Sequence, residues 1–104
     1  MIKKAKYKPF VLPSNFTELE SYVESNKMDL TEKVISSIEF AVEKNLPMVE
    51  VFAFKNSDFV ITVSQTEFRE NVSHIYNFYI KEEQYELCGR VKKLELLLDT
   101  KTKI

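Results

Sequence analysis

The stretch MVEVFAFKNSDFVITVSQ, residues 48–65, is where the chain changes its period. Two runs rich in Val, Ile and Phe flank the turn residues KNSD at 55–58, which is the pattern of a β-hairpin. Its register decides what each face carries, because a slip of one residue turns every side chain over. A three-residue loop pairs Phe54 with Asp58. Val49, Val51 and Ala53 then share a face with Phe59, Ile61 and Val63, and Glu50, Thr62 and Ser64 share the other. A two-residue loop sets Glu50 beside Val63 and mixes polar with apolar groups on both faces. Burying one fully apolar face avoids desolvating a carboxylate, so the three-residue loop is expected. It leaves Phe52 and Phe54 on the more polar face, where something has to cover them.

On either side of the hairpin the period is helical. Downstream, Phe68, Val72, Ile75 and Tyr79 recur at i, i+4, i+7 and i+11 behind a possible cap at Thr66, which predicts a helix over 67–80. After a break at KEEQ, the spacing of Leu87, Val91, Leu94 and Leu98 predicts a second helix ending near Asp99. Upstream, Asp29 and Glu32 form a capping-box pattern ahead of Leu30, Val34, Ile38, Ala41 and Val42. Asn45 and Pro47 close that helix. A shorter helix, FTELESYVES, is capped by Ser14 or Asn15 and carries Phe16, Leu19, Tyr22 and Val23 along one stripe. The lead YKPFVLP reads as extended, a third strand or a strap over the sheet. The expected architecture is therefore α+β: an antiparallel β-hairpin, with three strands if the N-terminal segment joins, covered by three to four helices that include a C-terminal helical hairpin.

The 104 residues suit one globular domain with its own core, needing no metal or disulfide staple, and with basic, frayed termini. No apolar run approaches the ~18 residues of a membrane span, and the N-terminal charge is followed by too short an apolar stretch for a secretory leader. One cysteine forms no internal disulfide, so a cytoplasmic location is expected and the glycosylation sequons at Asn15 and Asn71 carry no weight. Of the 15 basic residues, Lys3, Lys4, Lys6, Lys8, Lys101 and Lys103 lie in the two tails, while all 16 acidic residues lie between them. The acidic body disfavours a broad phosphate-binding face.

The segment YELCGRVKKLELLL, residues 85–98, holds the only cysteine beside the only glycine. Cys88 falls at the edge of the apolar stripe, well inside its helix, where no orphan N–H group lowers a thiol pKa. Arg90 is on a different face and nothing aims His74 at it, so Cys88 is expected to be core. Gly89 costs about 1 kcal/mol against alanine in a helix, which calls for a close crossing or a kink. A single glycine cannot build a phosphate-cradling loop. The carboxylate pairs Glu82 with Glu83 and Glu67 with Glu70 lie on polar helix faces or at a helix start. One histidine and one cysteine supply no transition-metal cluster. No catalytic residue, cofactor or metal is expected.

Aromatic and aliphatic surface is in excess. Tyr76, Phe78 and Tyr79 lie on more than one side of their helix, and Leu96 and Leu97 widen the stripe of the last one. The sequence points to a small intracellular interaction or regulatory protein without catalytic activity, working through Phe52, Phe54, Phe78, Tyr79, Leu96 and Leu97. Its partner is another protein or a second copy of itself, with self-association through the C-terminal helical hairpin expected. The Lys/Glu/Asn-rich surface would suit an accessory protein of a phage or mobile element. A nucleic-acid-binding regulator using Lys3, Lys4, Lys6, Lys8, Arg90, Lys92 and Lys93 is the alternative.

Overall fold

The structure, a computed structural model, describes residues 8–102, with side chains as far as Thr100. Seven elements follow one another: β1 (Phe10–Leu12), α1 (Phe16–Ser25), α2 (Lys27–Glu43), β2 (Met48–Phe54), β3 (Val60–Ser64), α3 (Gln65–Lys81) and α4 (Tyr85–Thr102). The strands form one mixed sheet in the order β1-β2-β3. The hairpin is β2 with β3, and the N-terminal lead does supply a third strand. It runs parallel to β2, with Phe10 beside Phe52 and Leu12 beside Phe54. A parallel neighbour needs a crossover, and α1 with α2 provides it.

The register of the hairpin departs from the expected one halfway along. Val49 opposes Val63 and Glu50 opposes Thr62, as a three-residue loop requires. Beyond them Phe52 opposes Ile61 and Ala53 opposes Val60, so Val51 is the extra residue of a β-bulge. The bulge inverts the alternation. Val49 and Val51 are buried under the helices, and so is the inner side of Phe52, while Ala53 turns outward with Val11 and Val60. Phe52 and Phe54 thus do not lie on the polar face, as expected from the sequence, but on the helix-covered one. The physical reason is the size of the side chains: burying a phenylalanine contributes roughly 1.5–3 kcal/mol, more than the disturbed ladder position costs.

The helices start and stop where local hydrogen bonds allow. Asn15 caps α1 by accepting from the Glu18 N–H at 3.1 Å. The predicted capping box of Asp29 and Glu32 is not the start of α2. That helix begins at Lys27, directly after Asn26, because Asn26 both terminates α1 and leads into α2 through Leu30 N–H to Asn26 C=O at 2.9 Å. The cap of α3 is Ser64 rather than Thr66, since Glu67 reaches back to the Ser64 backbone N–H and hydroxyl, each at 2.9 Å. Those bonds hold the Glu67 carboxyl below the usual glutamate range. Asn45 closes α2 at φ 56°, and Leu46 N–H returns to Ala41 C=O at 2.8 Å. Glu83 performs the same turn between α3 and α4 at φ 57°, with Gln84 N–H donating to Tyr79 C=O.

The core lies between the sheet and the last three helices. Ile35, Ile38 and Ala41 of α2 meet Val49, Val51 and Val63 of the sheet, and Phe68, Val72, Ile75 and Tyr79 of α3 meet Val91, Leu94 and Leu98 of α4. The stripes of α3 and α4 are those their spacing predicts; on α2, Ile38, Ala41 and Val42 are buried as expected, but Ile35 joins them while Leu30 and Val34 of the expected stripe are only half-buried. Among the described residues Ser37 is the one buried polar side chain besides the Tyr79 phenol, and its hydroxyl is satisfied by Lys33 C=O at 2.6 Å. No helix among the described residues is long and apolar enough to cross a membrane.

Candidate functional site

An apolar groove of about 320 Å³ lies between the sheet and the first two helices, and no residue of α3 or α4 lines it. Its floor is Leu12 of β1, Phe52 and Phe54 of β2, and Ile61 of β3. Leu19 and Val23 of α1 and Leu30, Thr31 and Val34 of α2 form its walls. The bulge at Val51 is what puts both phenylalanines on this floor, so one local irregularity of the hairpin creates the groove. No ionisable side chain lines it. Thr31, the single polar member, donates its hydroxyl to Lys27 C=O at 2.7 Å and brings no open polar group with it. What this surface can do chemically is take apolar matter out of water.

The wall formed by α1 is lightly attached. None of its ten residues is fully buried. It is held at its end by Asn26, whose amide donates to Tyr22 C=O at 2.8 Å, and along its side by the Tyr22 ring, 6.2 Å from that of Phe10. The Lys33 ammonium lies 5.5 Å from the centre of the same Phe10 ring.

The other residues marked in the sequence do not converge on this site. Tyr79 is not surface: it is fully buried, and its hydroxyl has no hydrogen-bond partner among the described residues. Burial pushes its pKa up. Phe78 is half-buried against the core, its ring 5.8 Å from that of Tyr79. Leu96 and Leu97 are exposed, at 66% and 50%, as the width of the stripe predicts. Leu97 borders a second hollow between α2 and α4, together with Glu39, Glu43 and Lys93.

Lys3, Lys4 and Lys6 lie outside the described residues, and Lys8 is exposed. Arg90 is tied to α2. Its Nε and Nη2 donate to the two oxygens of Glu39 at 3.0 and 2.7 Å, Nη2 also reaches Ser36 Oγ at 2.9 Å, and Nη1 lies 3.3 Å from Glu32. Lys92 pairs with Glu95 at 3.1 Å and sits 4.6 Å from the Tyr76 ring. Two of the three cations in the α4 cluster are therefore matched by carboxylates of the same protein. Cys88 is buried, and His74 is exposed on α3. No three His, Cys, Asp or Glu side chains come together to hold a metal among the described residues. Gly89 is exposed, and a methyl group there would meet nothing within 4 Å, so neither a close crossing nor a tight contact accounts for the glycine.

Sequence reasoning found Phe52 and Phe54 but missed the rest of the lining. Leu19 and Val23 were visible as a stripe on a helix too short to bury much. Ile61 reads as part of the buried face, and nothing in the sequence signals that this part of the face stays open. Against protein-family models, curated proteins and solved structures alike, the chain shows no match.

Proposed function

We propose that this protein is a non-catalytic binding module that works by contact, holding a protein partner through apolar side chains received in the groove between α1 and the sheet. The observation that carries the reading is the lining itself: eight of its nine residues are apolar, and Val23 and Ile61 remain exposed at its rim. Open apolar surface of this kind, in a chain that has built a complete core elsewhere, favours an interaction site over residual packing. The absence of any ionisable group in the lining favours a partner that presents apolar residues, not a phosphate or a sugar. The lone cysteine, buried and reduced, suits the cytoplasm as the place of work.

Affinity capture from extract of the native cell tests this, with three baits: the unaltered chain, Val23→Glu in the groove, and Leu96→Glu on the exposed face of α4. The reading expects a protein retained by the unaltered and Leu96→Glu baits and lost with Val23→Glu. Retention indifferent to Val23→Glu, or loss with Leu96→Glu alone, would contradict it, as would recovery of nucleic acid without protein.

A further inference from the structure

The two edges of the sheet are not protected alike. On one side β1 is only three residues long and stands between Pro9 and Pro13, neither of which has an N–H to offer. On the other side β3 has five residues, no proline and no charge, and among the described residues the order β1-β2-β3 gives it a strand on one flank only. Natural sheets blunt such an edge with lysine, proline or a covering element. Here the edge sequence is Val60-Ile61-Thr62-Val63, preceded by an exposed Phe59, and both Val60 and Ile61 are more than 40% exposed.

We propose that β3 pairs antiparallel with β3 of a second copy across a two-fold axis, joining the two sheets and giving each groove a further wall beyond Ile61. The backbone states what kind of occupant fits: unpaired N–H and C=O groups along an edge are satisfied by another extended strand. The side chains state why a second copy suits. Residues directly opposite in an antiparallel pair share a face. A two-fold axis perpendicular to the sheet keeps both helical layers on one side, so an inward residue of one copy always meets an inward residue of the other. The inward residues of β3 are Ile61 and Val63. Every such register therefore sets an apolar chain of one copy against Ile61 of the other, at the mouth of the groove. The outward residues, Val60 and Thr62, are β-branched and uncharged, so no like charges face each other across the axis. Because β1 is blocked by its prolines, pairing uses the one open edge and stops at two copies instead of growing into a fibre.

Strand pairing by itself falls short of the roughly 1,200 Å² of a stable interface, which sets the expected dissociation constant in the micromolar range or weaker. The inference does not depend on whether the groove takes another protein, and its test uses the purified chain alone. Sedimentation equilibrium over micromolar to near-millimolar concentrations should show a mass rising from 12.3 kDa toward twice that value. Thr62→Lys, an exposed outward position, places an ammonium group on the open edge of each copy and should hold the mass at the monomer value with an unchanged circular dichroism spectrum. Leu97→Glu on α4 should still dimerise. Amide exchange of the unaltered chain gives a second reading, with protection of 60–63 increasing as concentration rises. A mass of 12.3 kDa at all concentrations with no such protection overturns the proposal. So does a dimer dissolved by Leu97→Glu and untouched by Thr62→Lys, which would move self-association to the helical hairpin.

Discussion

The Arg90 guanidinium on α4 grips the Glu39 carboxylate on α2 through two parallel hydrogen bonds, at 3.0 Å from Nε and 2.7 Å from Nη2. The residues are 51 positions apart, and the same arginine also reaches Glu32 of α2 at 3.3 Å. A bidentate fork is shape-selective in a way that an ammonium is not. Glu39 raises the Arg90 pKa further, so the charge is permanent at any pH of interest.

Arg90→Ala is expected to lower unfolding stability by about 1–2 kcal/mol, because both partners are roughly one-third exposed and part of the gain is screened by water. Arg90→Lys should recover less than half of the loss. Denaturant unfolding of the three proteins measures this, and full recovery with lysine would show that only the charge matters.

Gly89 offers the opposite case. It lies inside α4 with open space where a side chain would go and with no positive φ. Gly89→Ala should therefore stabilise the fold by about 0.5–1 kcal/mol through helix propensity and a less flexible unfolded chain. A loss of stability in thermal or urea unfolding would mean that something approaches this position in the folded state.

The buried Tyr79 hydroxyl lacks a partner among the described residues, and a buried unsatisfied hydroxyl costs on the order of 1–3 kcal/mol. Tyr79→Phe should leave stability at neutral pH unchanged or raise it by about 1 kcal/mol. The sign of the alkaline effect follows from the raised pKa. The unfolded chain releases this proton first, near the ordinary tyrosine value of 10.0, while the folded protein retains it. The contribution is complete below that value and is lost as pH rises through the window up to the folded pKa. Unfolding measured on both proteins across that window should show a shallower decline for Tyr79→Phe, and identical slopes would contradict the assignment.

The helices were legible because their spacing leaves little choice. Ile38, Ala41 and Val42 lie on the face of α2 that its period implies, although Ile35 is buried beside them in place of Leu30 and Val34, and Asn45 closes the helix in the left-handed conformation expected of it. Tyr79 also fell on the α3 stripe, yet its place among surplus aromatics made it look like surface. Caps were harder. Asp29 and Thr66 satisfy the local pattern as well as Asn26 and Ser64 do, and the choice depends on where α1 and β3 end. The bulge at Val51 was not legible at all. VEVFAF has the same strand preference in either register, and what selects the bulge is the presence of α1 and α2 over Phe52 and Phe54. Hence the sequence pointed to the two phenylalanines that floor the groove while placing them on the wrong side of the sheet.

The side of the sheet is also what the account depends on most, since without the bulge there is no groove. Stability of Phe52→Glu and Ala53→Glu, compared in urea unfolding, measures it directly. With Phe52 turned toward the helices and Ala53 turned outward beside Val11 and Val60, Phe52→Glu should cost about 3 kcal/mol or more and Ala53→Glu about 1 kcal/mol or less. The reverse order, with Ala53→Glu the more damaging of the two, would restore the unbroken register and remove the groove.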